Sequence, residues 1–208
     1  LTAEEKDALK KTVAGEVQTA KDNIDAATKE ADVTTAKNTG VGKINNINVP
    51  TTSATKDAAK ADIDQAAKTK DAAIDASNLT AEEKDALKKQ VSDEVNKAKA
   101  AIDGATKDAD VESAKNTGVE TINNMPTTSA TKDAAKNAID QAAKAKDAAI
   151  DASNLTAEEK ADLKKQVSDE VNTAKGKIDA ATNNADVASA KKTGVDNINN
   201  VNVPATSA

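Results

Sequence analysis

A few clusters of oxygen-bearing side chains and one glycine pair are the places where this sequence could do chemistry. Glu82-Glu83, with copies at Glu4-Glu5 and Glu158-Glu159, offers paired carboxylates for acid and base work. Such a pair must face one substrate, and adjacent helical positions point about 100° apart. The helix dipole already accounts for acidic residues in a first turn. Asp108-Ala-Asp110 clusters the oxygen ligands that calcium prefers. Its copies read Glu30-Ala-Asp32 and Asn184-Ala-Asp186, and no loop of about twelve residues with its glycine and closing Glu follows. Helix capping explains these residues better.

Thr39-Gly-Val-Gly-Lys43 is superficially like a phosphate loop. Lys37 occupies the place of the first glycine, Ile44 stands where a Ser or Thr should bind magnesium, and the copies lack the second glycine. Asn78-Leu-Thr80 and Asn154-Leu-Thr156 match the N-glycosylation acceptor pattern, but their Thr has a role as a helix cap. The lysines interleave with Asp and Glu, as on a solvated helix face. We therefore assign no catalytic, cofactor-binding or metal-ligating residue and expect no enzyme.

Composition supports that reading. Of 208 residues none is Phe, Tyr, Trp, Cys or His, and the 29 basic residues are all Lys. Imidazole and thiolate chemistry, disulfides and N/S metal sites are excluded. Without Arg or aromatic stacking platforms, and with a net charge of −6, nucleic acid is not an expected partner. The apolar runs are far below the roughly 20 residues that span a bilayer, so no membrane insertion is expected. Alanine fills 45 positions, whereas Leu, Ile and Val together fill 32. So few aliphatics usually warn of disorder, and only a helical pattern overrides the warning.

That pattern is present, and it repeats. Leu-Thr-Ala-Glu-Glu-Lys occurs at Leu1, Leu79 and Leu155, at spacings of 78 and 76 residues. The slippage lies where Asn46-Ile-Asn-Val-Pro50 becomes Asn124-Met-Pro126. Phased at the prolines, the chain reads as a partial repeat 1–54, holding the second and third helices, and full repeats 55–130 and 131–208. Proline connectors such as Pro126-Thr-Thr-Ser129 join them as short, stiff linkers.

Each full repeat carries three helical patterns. The first, about 55–77, aligns Ala59, Ile63, Ala66, Ala67, Ala73 and Ile74, with Lys70 interrupting the stripe. The second aligns Leu87, Val91, Val95, Ala98, Ile102 and Ala105, at steps no strand makes. The third, about 110–124, offers Val111, Ala114, Val119 and Ile122. Gly118 inside it implies a kink, a close helix contact or an early stop. Capping boxes at Thr2 with Glu5, Thr80 with Glu83 and Thr156 with Glu159 start the second helix. Asp32, Asp110 and Asp186 are expected to cap the third. Asn78, tolerant of the left-handed conformation, is expected to end the first, and Leu79 to plug the end of a neighbouring bundle. On the solvent face Asp64–Lys68, Asp85–Lys89, Asp93–Lys97 and Asp103–Lys107 are spaced to pair along single helices. The expected architecture is all-α: tandem three-helix-bundle repeats forming an elongated rod, monomeric, each repeat partnered by its neighbours.

The run Ala58-Ala-Lys-Ala-Asp-Ile-Asp-Gln-Ala-Ala-Lys68, then Ala73-Ile-Asp75, Leu79-Thr-Ala-Glu-Glu-Lys84, Ala98-Lys-Ala-Ala-Ile-Asp103, Val111-Glu-Ser-Ala-Lys115 and Gly118-Val-Glu-Thr-Ile-Asn123 resembles the repeat called domain of unknown function 1542. That repeat occurs in tandem in large wall-anchored surface proteins of staphylococci, streptococci and lactobacilli. The resemblance implies an extracellular, cell-wall-anchored location on a Gram-positive bacterium. It also implies a stalk that holds a ligand-binding region away from the wall. The alternative is a repeated low-affinity module for host matrix or plasma proteins, acting through avidity. Binding hot spots draw on Trp, Tyr and Arg, all absent here, so the stalk is the expected function.

Overall fold

Local chemistry starts the helices largely where the sequence predicts. In the computed structural model, which describes residues 1–208, eight helices and no strand are formed. They are α1 (Ala3–Ala26), α2 (Glu30–Asn45), α3 (Ala54–Asp75), α4 (Ala81–Gly104), α5 (Asp108–Asn123), α6 (Ala130–Asp151), α7 (Ala157–Ala180) and α8 (Asn184–Asn199). The three expected capping boxes close, and the Thr80 backbone N–H donates to Glu83 at 3.0 Å while the Glu83 N–H donates to the Thr80 hydroxyl at 3.2 Å.

The chain forms two compact units, one of Leu1–Lys68 with Ser92–Asn124 and one of Thr69–Val91 with Met125–Ala208, so that the division falls inside α3 and α4. In the second unit α6, α7 and α8 pack pairwise on one another as a three-helix bundle. Its core is Ala135, Ile139, Ile150, Val167, Ala174, Ile178, Val187 and Ile198. In the first unit α1 packs on α2. There too, Ile63 of α3 and Ala98 of α4 converge on Gly118 of α5. Of the apolar positions picked out by period, Ala59, Ile63, Ala66, Ile74, Leu87, Val91, Ala98, Ile102, Val111 and Ile122 are buried, Ala67, Val95, Ala105, Ala114 and Val119 are half-buried, and Ala73 is exposed.

Of the three outcomes open at Gly118, a close helix contact is the one realised. A Cβ there would lie 2.6 Å from Ala98 Cβ and 2.7 Å from Ile63 Cδ1, while α5 runs on to Asn123. Gly194 repeats the contact, at 2.5 Å from Ala174 Cβ and 2.7 Å from Ile139 Cδ1. The missing methyl lets two helix backbones approach and gives an isoleucine of the third a seat. The cost of glycine in a helix, about 1 kcal/mol, is offset by that packing.

Four expectations are corrected. The third helix of each repeat is capped three residues earlier than predicted. Its N-caps are Lys29, Lys107 and Asn183, while Asp32, Asp110 and Asp186 lie in the first turn. No residue has positive φ, so Asn78 ends α3 without a left-handed turn. Instead the Ser77 hydroxyl donates to the Ile74 carbonyl at 2.6 Å, taking up one orphan acceptor. Lys70 does not interrupt the core, because its ammonium reaches the Met125 carbonyl just beyond α5 at 2.8 Å. Finally, two of the expected charge pairs find partners on another helix: Asp64 meets Lys99 at 2.6 Å and Asp103 meets Lys60 at 2.8 Å. The equivalents Asp140–Lys175 at 2.7 Å and Asp179–Lys136 at 2.9 Å recur in the second unit. Alanine contacts bring the helices so near that the flanking charges of neighbours are in reach.

A paired substitution tests the glycine contact. Gly194→Ala should lower the melting temperature through about 1–3 kcal/mol of overpacking. Gly176→Ala, at a helical position whose Cβ would meet nothing within 4 Å, should raise it through up to about 1 kcal/mol of helix propensity. Thermal denaturation followed by circular dichroism reads both.

Candidate functional site: the inter-repeat joint

The capping-box glutamate does more than close its own helix. In the first unit Glu5 Oε1 accepts from the Thr2 N–H at 2.8 Å and from the Ser53 hydroxyl at 2.5 Å, while Oε2 accepts from the Thr55 N–H at 3.3 Å. Ser53 in turn caps α3, its hydroxyl accepting from the Lys56 N–H at 3.1 Å. One carboxylate therefore serves the N-termini of α1 and α3, which belong to successive repeats.

The second unit repeats the arrangement. Glu83 Oε1 accepts from the Ser129 hydroxyl at 2.7 Å and Oε2 from the Thr131 N–H at 3.2 Å, while Ser129 caps α6 through the Lys132 N–H at 3.0 Å. A third instance closes the described chain: Glu159 Oε1 accepts from the Ser207 hydroxyl at 2.9 Å and the Ala208 N–H at 3.1 Å.

The other glutamate of each pair grips a second helix of the next repeat. Glu4 Oε2 accepts from the Asp108 N–H at 3.0 Å and Glu82 Oε2 from the Asn184 N–H at 2.9 Å. These are first-turn donors of α5 and α8, and at α5 the N-cap Lys107 makes no side-chain cap bond. Backbone bonds run beside them, Ala3 N–H to the Thr106 carbonyl at 2.9 Å and Ala81 N–H to the Thr182 carbonyl at 2.8 Å. In the second joint the Thr80 hydroxyl also donates to Asn184 Oδ1 at 2.6 Å. Thr2 and Thr80 are fully buried here, whereas Thr156, with no α8-type helix against it, is exposed.

Lysines of the first helix complete the joint from below. Lys132, only 2% exposed, donates to Asn78 Oδ1 at 3.1 Å and to the Asp179 carbonyl near the end of α7 at 2.8 Å. A cation at a helix C-terminus meets the negative end of the dipole and satisfies orphan carbonyls. Lys56 makes the matching bond to the Asp103 carbonyl at 2.8 Å, and Lys146 reaches the carbonyls of Asn199 and Val201, each at 2.9 Å. Leu155 is buried and lines a cleft with Pro204 and Thr206 of the connector, the place from which a following repeat would start.

The positions weighed as chemical sites thus divide. Glu82, Glu83, Asn78 and Thr80 come together in the second joint; Glu4, Glu5 and Asp108 come together in the first. Gly40 packs against Ala20, and Gly42 has open space around it. No group of three or more His, Cys, Asp or Glu side chains is placed to hold a metal ion, and no helix is long and apolar enough to cross a membrane. Sequence reasoning missed Ser53, Ser129 and Ser207 as joint residues. Their signal was the Ser held at a fixed distance after each proline even where Thr51 gives way to Ala205.

The bonds also set the acidity of the joint. The hydroxyl of Ser53, with the Thr2 N–H next in effect, holds Glu5 down at about 2 against an ordinary 4.5. At Glu83 partial burial pushes upward, but the donors from Thr80, Ser129 and Thr131 outweigh it and hold that carboxyl at about 2 as well. A depressed folded-state pKa means that the stabilisation is present above the ordinary carboxyl value and is lost as pH falls through the folded one. Both joints should therefore loosen between about pH 4.5 and 2, seen as accelerated hydrogen exchange at Lys56 and Lys132 while mid-helix amides stay protected. At neutral pH, Glu83→Ala should cost on the order of 2–3 kcal/mol by stripping charged partners from three donors. Glu159→Ala, on an end where fewer groups converge, should cost markedly less in the same denaturant titration.

Three copies of one joint imply three copies of one repeat, and comparison with known proteins agrees. No curated protein and no solved structure matches the chain. A family model described as Domain of Unknown Function (DUF1542) matches three times, over residues 1–52, 55–129 and 131–206. These matches take in nearly every residue, and the chain belongs to the DUF1542 family.

Proposed function

We propose that the chain is a non-enzymatic spacer: a run of helical repeats in a bacterial surface protein, lying between a ligand-binding region and the cell wall. The observation that carries this reading is the joint. Each repeat passes two carboxylates and a backbone donor to its successor, so the same side chains that start a helix also link one repeat to the next. A spacer needs length, solubility and a joint that can be copied without redesign. An interleaved Lys and Asp/Glu surface supplies the solubility, and the Glu–Ser clamp supplies the joint.

Extracellular placement on a Gram-positive wall fits the same reading. Helices capped by their neighbours, with no Cys to oxidise, do not depend on the redox state of the compartment. Host matrix or plasma proteins are the partners of the competing reading, in which each repeat binds weakly and avidity accumulates.

Small-angle scattering on chains of two, three and four repeats separates the readings. A spacer should show a maximum dimension that grows by a constant increment per repeat. Immobilised repeats should show no saturable binding of fibronectin or plasminogen. Micromolar or tighter binding by one repeat, or a dimension that does not grow, would defeat the proposal.

A further inference from the structure

The two complete repeats carry opposite charge on the face between their first and third helices. In the repeat of α3 to α5, Asp62 and Glu112 pair with Lys115 at 3.8 and 2.8 Å, and Glu120 stands exposed on the same face. In the repeat of α6 to α8 the matching residues are Ala138, Ala188, Lys191 and Asp196, and Lys192 replaces Asn116. Three carboxylates against one ammonium thus become one carboxylate against two. Lys192 pairs with Asp196 at 2.9 Å. Lys115 is half-buried between its partners, whereas Lys191 is exposed and forms no ion pair.

Two alanines in place of acidic side chains also change the shape. A groove of about 680 Å³ lies between α6 and α8 over Ala138, Ala142 and Val195, and a smaller hollow of about 230 Å³ continues it over Ala135 and Val187. Lys191 lines both. Packing of repeat on repeat does not cover this face. The repeat of α3 to α5 has another repeat before it and after it in the chain, yet its Asp62 and Glu112 side chains remain 61% and 62% exposed. An apolar floor beside an unneutralised ammonium group calls for a partner that brings carboxylates on a surface of small residues. The α3–α5 face has that chemistry. Its carboxylates project where the α6–α8 face is hollow, on helices held by the same glycine contact.

We propose that the α6–α8 face of one chain docks the α3–α5 face of a second copy, the carboxylates of Asp62, Glu112 and Glu120 meeting Lys191 and Lys192. Charge sets the register. Two α3–α5 faces would oppose carboxylate to carboxylate and two α6–α8 faces would leave hollow against hollow, so the copies meet one repeat out of step. Exposed ion pairs are individually weak and screened by salt, so a single contact holds only at high concentration and low ionic strength. Neither the joints nor the repeat cores take part, and the association adds a lateral contact to the spacer role without altering it.

Sedimentation of the intact 208-residue chain tests this. At low salt the chain should dimerise with rising concentration, and the dimer should weaken at least tenfold when salt is raised well above physiological strength. Ala188→Glu, which installs the residue of the other repeat, fills the hollow and gives Lys191 a partner within its own chain; it should weaken dimerisation at least tenfold with the melting temperature unchanged. Glu120→Lys and Lys192→Glu should each weaken it as well, and the two combined in one chain should restore it. A chain that stays monomeric at millimolar concentration and low salt would overturn the proposal. So would a dimer indifferent to Ala188→Glu, which places the contact on another surface, or a double variant no better than the single ones. Scattering increments measured on the Ala188→Glu chain are free of lateral association, so the spacer reading stands or falls separately.

Discussion

A single carboxylate shared between two helix starts is the interaction on which the rest of this structure depends. Each helix begins with backbone N–H groups that have no partner within the helix. Glu5 and Glu83 resolve this by accepting from the Thr N-cap of their own helix and from the Ser N-cap and following N–H of the next repeat's first helix. Because the anion is satisfied from both sides, neither repeat's helix start is complete without the other. The depressed acidity of these two carboxyls is the electrostatic record of that sharing.

The thin core makes such sharing necessary. A bundle whose large buried side chains amount to Ile139, Ile150, Val167, Ile178, Val187 and Ile198, with a few half-buried neighbours, buries little compared with the entropy of ordering its chain. Alanine lowers that cost through helix propensity. Glycine at positions 118 and 194 then admits an isoleucine between closely spaced backbones. The remaining support comes from helix ends. Lysines of the first helix cap the carbonyl ends of the second and third, and glutamates of one repeat cap the amino ends of the following one. Repeat arrays in general combine a modest intrinsic term with a nearest-neighbour term, and here the polar part of the neighbour term is written in named residues.

Much of this was legible in advance. The period of Leu87, Val91, Ala98 and Ile102 gave the longest helix, the Thr and Glu pairs located its start, and the repeat of Leu-Thr-Ala-Glu-Glu-Lys gave the number of copies. What failed did so for an identifiable reason. Asp110 looked like a cap because a cap was sought within its own helix, whereas the donor at Asp108 is served by Glu4, over a hundred positions away in sequence. Lys70 looked like an intrusion because a stripe of side chains does not reveal that a four-carbon stem can cross the core's edge to the carbonyl of Met125. Asp64 and Asp103 were matched to the nearest lysines along the helix, while the nearest in space lie on a neighbouring one.

The sequence by itself determined the helical class, the repeat and its length, the exclusion of imidazole, thiol and aromatic chemistry, and the capping box at each second helix. All of these follow from local propensity, period and composition, which act over a few residues. Only the tertiary structure decided that the glutamates are joints, that Gly118 and Gly194 are contact points, and that serines after each proline belong to two repeats at once. Those roles depend on which orphan backbone groups of different helices meet, and such meetings are set by packing between segments far apart in the chain. No short-range pattern records them.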